Sequence, residues 1–260
     1  MKEVPVVGRR SDVGVAFRFI AFVLRPFLMA VTRRNWRGGE HIPPPGTGVV
    51  IAGNHISHFD PLTFAHFMWD NGRATRYLAK ESVFRIPIAG RIISAARQIP
   101  VYRESSDASQ AYRAAVAAVR SGELVAIYPE GTISRDPGLW PMVGKTGAAR
   151  VALETGCDVV PVAQWGANHV LAPYSKRLRL LPPKTVHVIA GPPVDLDDLR
   201  GRPVTSESLR VATDRIMSAI TQQLAEIRGE VPPEVRFDHR AAGLPPTGDP
   251  ATAPDAEDER

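Results

Sequence analysis

Val49-Val50-Ile51-Ala52-Gly53-Asn54-His55-Ile56-Ser57-His58-Phe59-Asp60-Pro61 joins two kinds of local structure. Its apolar, β-branched opening reads as a buried strand over 48–53. Pro61-Leu62-Thr63-Phe64-Ala65-His66-Phe67 reads as a helix running to about Asp70 and stopping near Asn71-Gly72. A histidine and a carboxylate thus lie in a strand-to-helix crossing, where α/β proteins place functional loops. The pair suits a relay. Asp60 would hold one ring nitrogen of His55 and set its tautomer, and the other nitrogen would take a proton from a hydroxyl or water. A structural role competes, because Asp60 ahead of Pro61 is also a good N-cap before a proline at N1.

Outward from this crossing, strands and helices alternate. Strands are expected at 75–80, 98–102, 124–128, 158–164 and 185–190. Helices are expected at 107–120, 146–155 and, as a long amphipathic element, 206–227. Residues 82–93 read as a loop and short helix broken by Pro87, and 167–181 as irregular. Pro161 argues for an edge position or a bulge. The order implies an α/β fold: a mixed, largely parallel sheet flanked by helices.

The ends of the chain differ from its middle. Residues 1–37 carry eight Lys/Arg against two acids, whereas 229–260 carry eight acids against three Arg. The acidic end argues against nucleic acid as a partner. The basic, apolar beginning suits an anionic membrane surface. Residues 14–31 are apolar nearly all round, but Arg18, Arg25 and Pro26 interrupt them, and the longest clean run is short for a bilayer span. Three readings stay open: a helix in the membrane interface with Arg18, Arg25, Arg33, Arg34 and Arg37 toward head groups, a helix packed on the domain, or a spanning segment. No small-residue cleavage site follows, as a secretory signal would require. The expected organisation is a membrane-associating helical arm over 1–40, an α/β domain over 41–230 and a disordered acidic tail over 231–260. Cys157 is the only cysteine, so no intrachain disulfide or cysteine-based metal site can form.

Four apolar runs end in polar groups: His55 and Asp60, then Lys80, then Arg103, then Glu130. In a parallel sheet these ends share one edge, where ligands collect. Lys80 and Arg103 suit a phosphate, Arg103 with a bidentate fork. Glu130 suits an arginine partner or a substrate hydroxyl. Solvated strand-end charges with an ion pair or two are the plainer alternative. His55, His58, Asp60 and His66 form a weak metal-ligand pattern with no second motif behind it, so no metal is expected. Gly144-Lys145-Thr146 looks like the end of a P-loop, but the glycine required at 139 is Leu139 and no strand precedes it. Lys145 reads instead as an added positive charge near the site. Ser57 lacks a nucleophile elbow, and Cys157 reads as a packed small residue.

Asn54-His55-Ile56-Ser57-His58-Phe59-Asp60 resembles the first block of the glycerophospholipid acyltransferases, and the nearest likeness is to bacterial lysophosphatidate acyltransferases. The second block is matched by Ile99-Pro100-Val101-Tyr102-Arg103, the third by Tyr128-Pro129-Glu130-Gly131-Thr132 and the fourth by Val159-Val160-Pro161-Val162-Ala163. Lys80 and Lys145-Thr146-Gly147 resemble the family's accompanying lysines. Order and spacing agree from about 47 to 166. Two departures stand out. Arg97 occupies a usual glycine, which suggests backbone close to substrate, and Ile133-Ser134-Arg135 sets an arginine two residues late.

The resemblance implies acyl transfer from acyl-CoA or acyl carrier protein to the sn-2 hydroxyl of 1-acyl-glycerol 3-phosphate, giving phosphatidic acid, with no cofactor. His55 and Asp60 would be catalytic. Lys80, Arg103, Glu130, Gly131, Thr132 and Lys145 would bind the lysophospholipid acceptor. The enzyme would be peripheral or monotopic on the cytoplasmic face of the cell membrane. Glycerol 3-phosphate or another lysophospholipid is the alternative acceptor, and a non-catalytic module for anionic lipid is the alternative of another class.

Overall fold

A computed structural model describes residues 15–87, 89–101, 108–245 and 249. The elements run α1 (Val15–Val31), β1 (Thr32–Arg37), β2 (Val49–Gly53), α2 (Asp60–Asp70), β3 (Thr75–Lys80), α3 (Glu81–Phe84), α4 (Ala89–Ala95) and β4 (Ile99–Val101). They continue α5 (Ala108–Arg120), β5 (Leu124–Ile127), α6 (Gly147–Thr155), β6 (Asp158–Trp165), α7 (Ala167–Val170), β7 (Lys184–Ala190) and α8 (Ser206–Arg228). Among the described residues the strands form one sheet in the order β1-β7-β6-β2-β5-β3-β4. All pairings are parallel except β6 with β7. This is the mixed, largely parallel α/β architecture that the sequence implies.

Every residue of β2 is buried, because both faces of the sheet are covered. Val50, Val125 and Val159 point to one face and pack against α5, α6 and α8 through Ala115, Val116, Ala152, Ile216 and Ile220. Val49, Ile51, Val160, Val162 and Val188 point to the other and meet Phe64, Phe67 and Met68 of α2. The period-2 alternation of strands against helical stripes thus closes two cores on one sheet. The C-terminal ends of β2, β3, β5 and β6 share one edge, and antiparallel β7 begins there.

Pro161 lies in an interior strand, which corrects the edge-or-bulge expectation. Its carbonyl accepts from Gly191 N at 2.9 Å, just past the end of the β6–β7 ladder at Val162↔Ala190. The missing proline N–H therefore faces the end of a ladder, where no partner awaits it.

Residues 32–37, read from sequence as part of the arm, form the edge strand β1 and pair along β7. Residues 167–181 are also more ordered than expected, with α7 and a Leu171↔Leu178 bridge. Helix α1 packs on the domain along one side, as one of the sequence readings has it. Leu28 and Val31 bury against Phe59, Ala167 and Val170, while Phe19 and Phe22 stand 67% and 77% exposed. Arg25 and Arg34 both pair with Asp70, at 3.0 and 2.8 Å, and Arg37 pairs with Glu226, so these three cations do not all face outward. Among the described residues no helix is long and apolar enough to cross a membrane.

Beyond α8, residues 231–245 lack helix and strand yet lie on the domain. Val143 N donates to Phe237 O at 3.0 Å, Arg236 pairs with Asp214, and His239 is buried. The rest of the expected acidic tail lies outside the described residues, Asp249 excepted.

Candidate active site

Gly53 ends β2 where a Cβ would stand 2.8 Å from the Phe64 ring, so any side chain there would force that ring to shift. Asn54 follows and forms a reciprocal amide pair with Gln164 at the end of β6. Asn54 Nδ2 donates to Gln164 O at 3.0 Å, and Gln164 N donates to Asn54 Oδ1 at 2.8 Å. Gln164 Nε2 also donates to Asn54 O, and Thr63 Oγ1 donates to Gln164 Oε1. This buried network fixes where the loop departs.

Asp60 is fully buried and His55 is 17% exposed, with Asp60 Oδ2 2.8 Å from His55 Nδ1. The same oxygen accepts from Ile56 N at 2.6 Å and Ser57 N at 2.8 Å. The helix starts at Asp60 with Phe59 before it, and no side chain caps it. The N-cap alternative for Asp60 is therefore set aside: its carboxylate turns back onto the loop and the ring. An acceptor at Nδ1 puts the ring proton there and leaves the Nε2 lone pair free to take a proton.

Glu130 is buried beneath this loop. Its Oε1 accepts from His55 N at 2.9 Å and its Oε2 from Met142 N at 3.0 Å. Burial pushes its carboxyl up to about 8, against the two backbone hydrogen bonds that favour the charged form. Ser134 N donates to His55 O at 2.7 Å. Both backbone polar groups of His55 are thus held by the exit loop of β5. Gly131, at φ +71°, turns that loop, and Lys145 lies over it, 2.7 Å from where a Cβ would stand. Lys145 N donates to Pro129 O at 2.8 Å, which ties the approach to α6 to the same turn. Thr132 is buried in the loop.

The ring of Tyr128 stacks on His55, with centroids 4.4 Å apart and planes at 14°. Tyr77 stacks beyond it, and its hydroxyl donates to Pro61 O at 2.9 Å. Sequence reasoning missed this aromatic support. Its signal was the aromatic residue immediately before Pro129-Glu130-Gly131.

His55, Asp60, Glu130, Gly131, Thr132 and Lys145 therefore gather around one loop. Lys80 ends β3 at this edge, in register with Val101. Arg103 lies outside the described residues. Arg97 is elsewhere: it adopts φ +55° and its guanidinium lies 3.6 Å from Glu123, at the start of β5 and the opposite edge. A glycine preference at that position is thus conformational, which corrects the reading of a close substrate approach. Ile133 and Arg135 are both buried in the β5 exit loop.

Other expectations also resolve. Ser57 Oγ donates to Leu171 O at 2.6 Å and accepts from Phe59 N, so it braces the loop rather than attacking anything. His66 packs edge-on against Trp36, and burial first among its causes lowers its pKa to about 4. Among the described residues no group of three or more His, Cys, Asp or Glu is placed to hold a metal ion. Gly144 packs against Met217, where a Cβ would come within 2.8 Å, so it serves core packing and not a phosphate loop. Cys157 is partly buried, and burial raises its pKa.

The fold and the loop define an α/β protein with a hydrogen-bonded His–Asp pair at the C-terminal edge of a largely parallel sheet. The acyltransferase family model matches residues 33–165, and the chain belongs to that family. It is 35% identical over 133 residues to a 1-acyl-sn-glycerol-3-phosphate acyltransferase of Borreliella burgdorferi, covering 51% of each chain. It is 30% identical over 138 residues to the chloroplastic 1-acyl-sn-glycerol-3-phosphate acyltransferase LPAT1 of Arabidopsis thaliana, covering 53% of this chain and 37% of that one. The chain thus spans about half the length, or less, of these curated relatives. The crystal structure of the LPA acyltransferase PlsC from Thermotoga maritima matches with a TM-score of 0.62 at 24% identity, over 84% of this chain and 82% of that one. That likeness is one of fold.

Proposed function

We propose that this protein moves a fatty acyl group from a thioester, acyl-CoA or acyl carrier protein, to the sn-2 hydroxyl of 1-acyl-glycerol 3-phosphate, giving phosphatidic acid. The observation that carries this reading is the pinned His55–Asp60 pair, with Nδ1 occupied and the ring held 2.8 Å from the carboxylate. Nε2 removes the proton from the acceptor hydroxyl as its oxygen attacks the thioester carbonyl. Asp60 stabilises the imidazolium that forms, as the buried acid does in a serine-protease triad. The tetrahedral adduct then expels the thiolate, which takes from His55 the proton that the acceptor hydroxyl gave up. No acyl-enzyme is required, since a thioester is already activated.

Lys80, Arg103 and Lys145 supply the cations for the acceptor phosphate. Gly131 and Thr132 shape the ground beside it. Glu130 supports the reaction indirectly, because both its oxygens hold backbone N–H groups. The buried Ile133 and Arg135 favour one second reading, a related transferase with another phosphorylated acceptor, since they change the loop next to His55.

Helix α1 suits attachment to a lipid surface. Its outer side exposes Phe19, Phe22, Val23 and Phe27, and its inner side packs on Phe59 of the catalytic loop. Apolar side chains entering the interface would thus set the site beside its lipid acceptor.

The test uses purified protein, radiolabelled acyl-CoA and a panel of lysophosphatidate, glycerol 3-phosphate and other lysophospholipids, with product identification. Phosphatidic acid from lysophosphatidate, lost in His55→Ala, is expected. Full transfer by His55→Ala would refute the mechanism, and exclusive turnover of another acceptor would select the second reading.

A further inference from the structure

A second concavity opens at the same sheet edge on the α8 side. Its volume is about 430 Å³, and Trp165, His169, Lys184, His187, Arg228 and Glu230 line it. The antiparallel pairing of β6 with β7 builds it. Trp165 is the last residue of β6, opposite His187 in register, and Lys184 is the first residue of β7. Val186 and Val188 point into the α2-side core, so His187 faces the other way, toward α8.

The charges in this cleft are not balanced internally. Among the described residues Glu230 is the one carboxylate that lines it, and it pairs with Arg228. Arg228 itself lies between the rings of Trp140 and Trp165, 4.2 and 4.5 Å from their centroids. That leaves Lys184, with no carboxylate partner among the described residues, and two imidazoles. Burial, then Arg37 and His169, lower the pKa of His187, and Arg37 is itself paired with Glu226.

A positive concavity beside an indole suits a phosphorylated nucleotide. A folded carrier protein presents a convex surface and would need a broad basic face instead. The position also matters, because Trp165 follows Gln164, which bonds Asn54, the neighbour of His55. A ligand anchored between β6 and β7 can lay its arm along the edge toward the relay.

We propose that this cleft binds the phosphorylated nucleotide end of a CoA thioester donor, with Lys184 and His187 on phosphate and Trp165 beside the base. The inference rests on the acyl-transfer reading and deepens it by choosing the donor. Calorimetry of the full chain with adenosine 3′,5′-bisphosphate tests the cleft directly, and steady-state kinetics test its use. Lys184→Glu is expected to weaken that binding and raise the acyl-CoA KM, each by about tenfold. The lysophosphatidate KM and the melting temperature should hold. His187→Ala should move the same two quantities in the same direction.

Unchanged bisphosphate binding and acyl-CoA KM in both variants would overturn the proposal while leaving acyl transfer standing. A rise confined to the KM for acyl carrier protein would overturn it too and assign the cleft to protein docking. If the wild type transfers no acyl group, Lys184-dependent bisphosphate binding still upholds a nucleotide cleft and only the acyl-transfer reading fails.

Discussion

One oxygen of Asp60 accepts from the ring of His55 and from two backbone N–H groups of the loop that carries that ring. The carboxylate therefore sets both the tautomer of the imidazole and the shape of its support. Asp60→Asn should damage both. An amide presents an N–H₂ or a weaker acceptor to three donors, so the native fold should lose about 1–3 kcal/mol. Turnover should fall by about 10²–10⁴-fold, the usual worth of a positioned general base. Thermal melts and kcat on the same preparation check both, and near-normal turnover would deny the relay.

Glu130 gives a prediction with a definite sign in pH. Burial holds its carboxyl at about 8 in the folded chain, against 4.5 as the ordinary value. Between these limits the folded state binds more protons than the unfolded state, so this group's contribution to stability falls as pH rises. The limiting slope is about 1.4 kcal/mol per pH unit. Glu130→Gln removes the titration. Between pH 5 and 8 its stability should decline less steeply with pH than that of the wild type. Parallel slopes in urea unfolding at several pH values would contradict this.

The stack of Tyr128 on His55 holds the ring plane. Tyr128→Phe keeps the stack and should retain most activity. Tyr128→Ala removes it together with the packing of a half-buried ring and should cost about 1–3 kcal/mol. At a temperature where both remain folded, kcat of the alanine variant should be the lower. Equal kcat in the two would show that the stack serves stability alone.

Phe19 and Phe22 stand outward on α1, remote from the sheet. Phe19→Asp with Phe22→Asp should leave the melting temperature near that of the wild type. Co-sedimentation with anionic vesicles should drop at least tenfold, because each buried Phe contributes about 1.5–3 kcal/mol. Binding that persists in the double variant would show that the helix does not hold the protein to lipid.

Much of this was legible along the chain, because local rules govern it. Apolar runs at strand period, helical stripes and the crossing at His55 all follow from side-chain periodicity within a few residues. The spacing from His55 to Asp60 is likewise local, and the loop folds back on itself to join them. What the sequence left open depends on partners far along the chain. β1 exists because β7, about 150 residues later, offers it a free edge. Pro161 fits inside the sheet because the β6–β7 ladder ends beside it. Glu130 braces the His55 loop because Met142 N and His55 N converge on its carboxylate, the latter from 75 residues away. Charge and type state what a residue can do. Only the packed backbone, which must satisfy every buried polar group, decides which of those things it does.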